Sequence, residues 1–258
     1  MRLFNINAGL LLAQLSTLKA RAASAIPFAP TDPVIPLEDG SGPNGIYTVM
    51  EKWCDHLSWN ASDTEMYGTI ENWDTTLVTD MRSLVYFHCP GHAFEFNDDI
   101  SRWNTGAVTN MEGMFQDSNS FNVDISNWDV SRVTSMARMF ANANNYDPHN
   151  DCEFNQDISR WDVSKVEAMT GMFECPQGVA KFNQNISRWN VSRATDMTSM
   201  LQNTEGFGYK LCWNLGEQCA TNALFYDSGG CIDPTCGNAP KDPELYCASE
   251  AREAIRPI

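Results

Sequence analysis

Three groupings of residues have types and spacings that suit chemistry. His88-Cys89-Pro90-Gly91-His92 gathers potential zinc ligands within one short segment. M-x-x-M occurs at Met111/Met114, Met136/Met139, Met169/Met172 and Met197/Met200, and soft thioethers at that spacing suit Cu(I). Asn97, Asn122, Asn155 and Asn183 form one recurring series, and Asp99, Asp124, Asp157 and Asn185 another two residues on, an arrangement that stacked calcium sites share. Each grouping has a structural reading that explains more. The histidine loop lacks a second ligand pair at zinc spacing, so Cys89 is expected to bridge to Cys54. The methionine positions also accept Leu84 and are apolar throughout, which is how a core is filled. No D-x-D-x-D-G calcium loop occurs, and Asn and Asp side chains readily bond to turn backbone and to their equivalents on a neighbouring strand. Neither a metal nor a cofactor is expected.

The elements that must position these groups are repeats. Tryptophans recur at 73, 103, 128, 161, 189 and 213. Aligning on them brings Met81, Met111, Met136, Met169 and Met197 to one offset, and Leu84, Met114, Met139, Met172 and Met200 to another. Val78, Val108, Val133, Val166 and Ala194 share a third, while Ile70, Ile100, Ile125, Ile158 and Ile186 stand three residues before each tryptophan. Phenylalanines 96, 121, 154 and 182 precede by seven. Such self-similarity is the mark of stacked supersecondary units, none of which buries its apolar face alone.

The consensus F-N-x-D-I-S-x-W-D-V-S-x-V-T-x-M-x-x-M-F divides in two. Phe and Ile an even number apart share one face of a strand. The apolar positions of V-T-x-M-x-x-M-F fall at helical spacing. Each copy is therefore read as strand, bend and short helix. The expected fold is an α/β repeat solenoid, leucine-rich-repeat-like, with short parallel strands on one face and short helices on the other. Its organisation is expected as a signal or targeting peptide (1–25), a linker and N-terminal cap (26–65), five repeats (66–206), a degenerate capping repeat (207–230) and a cysteine-containing tail (231–258).

FNQDISRWDVSKV (Phe154 to Val166) followed by Met169-Thr170-Gly171-Met172-Phe173 resembles the 25-residue repeat of mycoplasma surface lipoproteins and of many algal and bacterial surface proteins. The half carrying Val133, Met136, Phe140 and Ala143 is also similar to part of the BspA-type leucine-rich repeat. The resemblance spans about Tyr67 to Gly230. It implies a parallel sheet along one face and no catalytic residue.

With 33 Asp and Glu against 17 Lys and Arg, the net charge of −16 disfavours nucleic acid and anionic membranes as partners. No segment after the N-terminal leader has the apolar length of a membrane span. The first 31 residues hold no acid, and an apolar stretch from Ala8 to Leu15 leads to Ala23-Ser24-Ala25, the layout of a cleavable secretory signal. With Phe28-Ala29-Pro30 beyond it, the same site resembles a plastid-targeting boundary, so a plastid is the alternative destination to the secreted or cell-surface one.

Nine cysteines in an exported chain favour disulfides. Cys54 with Cys89, Cys152 with Cys175 and Cys212 with Cys231 are the expected pairs. Sequons at Asn60, Asn185 and Asn190 suit secretion. Nucleophile-elbow, P-loop and dinucleotide motifs are absent, so a non-enzymatic role is expected. The polar residues turned away from the core, Arg102, Asn127, Gln156, Arg160, Gln184 and Arg188, make a stripe fit for a protein or glycan ligand. Binding or adhesion at a surface is the leading reading. A hydrolase of extracellular polymers, or a plastid scaffold, is the alternative.

Overall fold

Turns, more than strands or helices, build this protein. The structure is a computed structural model that describes residues 36–55, 58–89, 91–142, 151–176, 178–216 and 218–233. The leader with Ala23-Ser24-Ala25 and Phe28-Ala29-Pro30, together with His56, Pro90, Ala143, His149, Cys236 and Cys247, lies outside the described residues.

Around each tryptophan the chain closes three successive four-residue turns, in which the N–H of the last residue donates to the carbonyl of the first. In the copy built on Trp161 these are Ile158–Trp161 (3.1 Å), Val163–Val166 (2.9 Å) and Met169–Met172 (3.1 Å). The copies on Trp103, Trp128 and Trp189 repeat all three. The first and last residues of each turn are apolar and face inward: Ile158, Val166, Met169 and Met172 are wholly buried and Trp161 is 4% exposed. In the first two turns the third residue is exposed, as Arg160 and Lys165 are, and the second half-buried, as Ser159 and Ser164 are. Apolar residues three apart therefore mark turn ends here.

This corrects the expected strand and helix halves. Phe154 to Ser159 and its counterparts carry no regular strand, and the M-x-x-M half is helical only in the first copy. A left-handed residue stands between the two apolar positions in every copy: Ser83, Gly113, Arg138, Gly171, Ser199 and Ala223 have φ between 53° and 58°. A right-handed helix does not pass through such a residue. The parallel pairing falls in this same half. Isolated bridges link Asp80, Asn110, Ser135, Ala168, Asp196 and Ala220 in succession, one residue per copy.

Backbone bonds run between copies on both sides of that bridge. Met111, Gly113 and Phe115 donate to the carbonyls of Ser135, Ala137 and Met139 in the next copy (2.8–3.0 Å). Thr109, Thr134 and Thr195 donate backwards through N–H and again through Oγ1 to the preceding copy. The tryptophans do the same from their rings: Nε1 of Trp103, Trp128, Trp161, Trp189 and Trp213 donates to Ile70, Ile100, Ile125, Ile158 and Ile186 carbonyls (2.8–3.2 Å). Two phenylalanines per copy interleave, with Phe115/Phe121, Phe140/Phe154 and Phe173/Phe182 at 3.8–3.9 Å between ring centroids. Wider steps of 5.6–5.7 Å join Phe115, Phe140 and Phe173.

Ahead of the first copy come two helices, α1 (Ile46–Cys54) and α2 (Ala61–Tyr67), and a third, α3 (Leu84–His88), ends the first copy. Ile46, Val49, Met50 and Cys54 lie on one buried face of α1, at helical spacing. α2 starts from a capping box, Asn60 accepting from the Ser62 N–H while Asp63 accepts from the Asn60 N–H. Buried Asp63 also takes an ion pair from Lys52 of α1 at 3.0 Å, which holds its carboxyl below the ordinary range. Within the last copy β1 (Lys210–Leu211) pairs in parallel with β2 (Cys231–Ile232), which follows that copy. No helix among the described residues is long and apolar enough to cross a membrane.

Candidate ligand-binding face

Side chains at turn centres are the ones the fold leaves available. Arg102, Asn127, Arg160 and Arg188 are all exposed and occupy the same position, directly before the tryptophan, in four successive copies. The structure places them in turns, whereas the sequence pattern had put them on strands. Gln156 and Gln184 stand apart from this column. Each is half-buried and donates from Nε2 to the carbonyl and Oδ1 of the preceding copy's asparagine, Asn122 or Asn155, at 2.8–2.9 Å. Their amides thus join copies together, and the stripe keeps four of its six members as freely presented groups.

The asparagine series is a true ladder. Oδ1 of Asn97, Asn122 and Asn155 accepts the N–H of Asn122, Asn155 and Asn183 (2.8–2.9 Å). The aspartate series works within its own copy: Asp99, Asp124 and Asp157 accept the N–H of the serine two residues on, all at 3.0 Å. Asp129 and Asp162 repeat the motif in the second turn at 3.0–3.1 Å. Hydrogen bonds from the serine hydroxyl and N–H hold Asp99, Asp129, Asp157 and Asp162 below the usual carboxylate range, and those from the Ser126 N–H and hydroxyl do so for Asp124. In the copy on Trp189 both aspartates are replaced by the sequon residues Asn185 and Asn190, which keep the turns (3.1 and 3.2 Å) without the charge. Asn185 and Asn190 are exposed, and Asn60 caps α2.

A second basic column lies in the second turn, which pattern reading had passed over. Arg132, Lys165 and Arg193 occupy its third position, four residues after the tryptophan. The signal was available in the alignment, but treating this half as helix hid its exposed side.

Disulfides join Cys54 to Cys89 and Cys152 to Cys175, with Cα atoms 5.1 and 6.3 Å apart. Both are pairs the sequence had suggested. Cys212 and Cys231 are also disulfide-bonded, while Cys219 is a free thiol that burial, aided by Asp196, pushes up to about 11. With Cys89 bridged, the histidine loop has lost its thiolate. His88 instead stacks on Tyr47 (4.5 Å) and meets Glu51 at 2.9 Å. No group of three His, Cys, Asp or Glu suited to a metal occurs among the described residues. A groove of about 520 Å³ beside α1 is lined by Thr48, Glu51, Lys52, Asp55, Ser58 and His92.

A chain of near-identical turn-built copies, with conserved-looking interior columns and variable exposed ones, is the class these features define. A family model described as "Mycoplasma protein of unknown function, DUF285" matches residues 55–151 and 149–231, and the chain belongs to that family. No curated protein and no solved structure matches it.

Proposed function

We propose that this chain is an exported, leucine-rich-repeat-like solenoid whose turn face binds macromolecules at or outside a cell surface. The observation that carries the reading is the contrast between columns. Inward positions repeat the same residues from copy to copy, and the exposed column Arg102, Asn127, Arg160, Arg188 is polar and committed to no contact between copies. Two disulfides between described residues suit an oxidising compartment, secreted or surface, over the plastid alternative. The segment boundaries follow from the same picture, with 66–206 as the repeats between an N-terminal cap and the capping copy at 207–230. The role is binding, without catalysis.

A screen of the purified full chain against surface glycans and matrix proteins tests this. A ligand that binds the wild type and is lost on replacing Arg102, Asn127, Arg160 and Arg188 together by alanine, with unchanged thermal unfolding, is the expected result. Ligand binding untouched by those four changes overturns the assignment of the face. Fractionation of a tagged copy, with N-terminal sequencing of the mature protein, tests export.

A further inference from the structure

Only the copy on Trp189 holds asparagine at both of its turn-forming positions, Asn185 and Asn190. In the preceding copy the same places belong to Asp157 and Asp162. Each accepts a serine N–H at 3.0–3.1 Å, and each is also attracted by a cation of its own copy, Arg160 or Lys165. With asparagine the turns survive, because Oδ1 accepts the N–H of Ser187 at 3.1 Å and of Ser192 at 3.2 Å. The exchange gives up the attraction to Arg188 and improves no hydrogen bond. What it creates is chemical: an amide nitrogen two residues ahead of a hydroxyl, twice within eight residues.

The turn also fixes which way each amide faces. Only the oxygen of the amide can accept an N–H, so Oδ1 is committed to the serine and the nitrogen is the end left over. Both asparagines are exposed, and neither Nδ2 donates to any group among the described residues. A sugar on Nδ2 leaves Oδ1 in place, so the folded copy accepts the modified residue with its backbone bond intact. Two other asparagines lack this combination. Asn104 closes the same second turn, its Oδ1 accepting the Gly106 N–H at 3.1 Å, but Gly106 stands where the hydroxyl would be. Asn60 belongs to a sequon, yet both ends of its amide are engaged, Oδ1 with the Ser62 N–H and Nδ2 with the Ser58 carbonyl at 3.4 Å.

We infer that Asn185 and Asn190 are a paired modification site, each carrying an N-linked oligosaccharide on Nδ2. This rests on the proposed export, which brings the chain to the enzymes that perform the transfer. The donor is an oligosaccharide joined to a lipid diphosphate. Nδ2 bonds to the anomeric carbon as the bond from that carbon to the diphosphate oxygen breaks. The lipid diphosphate leaves with the electron pair, one Nδ2 proton passes to base, and nothing is oxidised or reduced.

The test uses the tagged full chain recovered from the surface or medium of the cells that make it. An amidase that strips N-linked glycans, acting in isotopically heavy water, leaves a labelled aspartate wherever a sugar stood. Trypsin separates the two positions onto peptides 182–188 and 189–193. Both peptides are expected to carry the label, and the untreated wild type to migrate two steps more slowly than Asn185→Asp/Asn190→Asp. That variant holds the residues of the preceding copy, which form the same turns. Ser187→Ala/Ser192→Ala keeps both asparagines and should lose both steps as well. An exported chain with neither peptide labelled, or with Asn60 alone modified, overturns the inference and leaves the binding role standing. Label on one peptide only overturns the pairing, and a modification that persists in the serine variant overturns the chemistry. A chain found inside the cell with its leader uncleaved sinks the export reading, and this inference with it.

Discussion

The two ends of the stack solve the same problem differently. Every internal copy donates forward from alternate residues and backward from the threonine position, so the first and last copies each face a row of groups with no neighbour. At the N-terminal end Asp39 stands in for the missing copy: its carboxylate accepts the Thr79 N–H (2.7 Å), the Thr79 hydroxyl (2.5 Å) and the Asp80 N–H (3.0 Å). The helices and the Cys54–Cys89 bridge close that end further, leaving Trp73 Nε1 as a buried donor without an acceptor among the described residues, since no preceding copy supplies one. At the C-terminal end Met197, Ser199 and Leu201 donate to Ala220, Asn222 and Leu224. The corresponding N–H groups of Thr221, Ala223 and Phe225 find no acceptor among the described residues. Among the described residues, one end is closed by charge, helix and disulfide; the other, although Cys212 and Cys231 are disulfide-bonded there, leaves these three donors without acceptors.

Breaking the closed end should therefore cost most. Replacing Cys54 and Cys89 by serine together is expected to lower the unfolding free energy by about 2–4 kcal/mol in urea titrations. A loss below about 0.5 kcal/mol would mean the helices close this end unaided. Asp39→Ala should cost about 1–2 kcal/mol, comparable to losing a strong helix cap. Its pH dependence has a definite sign. Burial is the largest single influence and pushes the Asp39 carboxyl up, but the hydrogen bonds from the Thr79 hydroxyl, the Thr79 N–H and the Asp80 N–H together outweigh it and hold the group below its ordinary 3.8. The folded state therefore favours the ionised form. Its contribution is fully present above the unfolded value and disappears as pH falls through the lower folded one. The gap between wild type and Asp39→Asn should accordingly narrow below about pH 4.

A third substitution compares interior with open end through one shared feature. Arg138 and Ala223 both occupy the left-handed position that glycine fills in two other copies, as Gly113 and Gly171. A non-glycine residue there costs about 1 kcal/mol. Arg138→Gly should recover most of that in global stability. Ala223→Gly should recover less, because a copy with one neighbour frays before the protein unfolds. Equal gains at the two positions would place the last copy inside the cooperative unit and weaken the contrast.

These positions also explain what could be read from sequence and what could not. The period, the inward columns, the asparagine ladder and two disulfide pairs were legible, because stacking demands the same residue at the same place in each copy. The halves of the copy were misread because a turn with apolar ends and a helix both put apolar residues three apart. What separates them is a backbone angle that Gly113 and Gly171 advertise and that Ser83, Arg138 and Ser199 conceal. The second basic column was lost for the same reason. Gln156 and Gln184 were placed on the ligand face because an amide in an alternating pattern gives no sign of whether water or the next copy receives its hydrogen bonds.

The smallest expected effect is the most local. At the bridge position Asp80, Asn110 and Asp196 each accept the N–H two residues on, from Arg82, Glu112 and Thr198, at 2.9 Å. Ala220 holds that position in the last copy and has no such side chain, so the Asn222 N–H joins the row of donors without acceptors among the described residues. Asparagine serves there as well as aspartate, as Asn110 demonstrates, and adds no charge beside Asp196. Ala220→Asn should therefore stabilise by about 0.5 kcal/mol, the low end of what a side-chain cap contributes. The gain should appear first as slower amide exchange at Asn222. Unchanged exchange there would mean that this N–H is already satisfied, and that the C-terminal end is less open than its backbone implies.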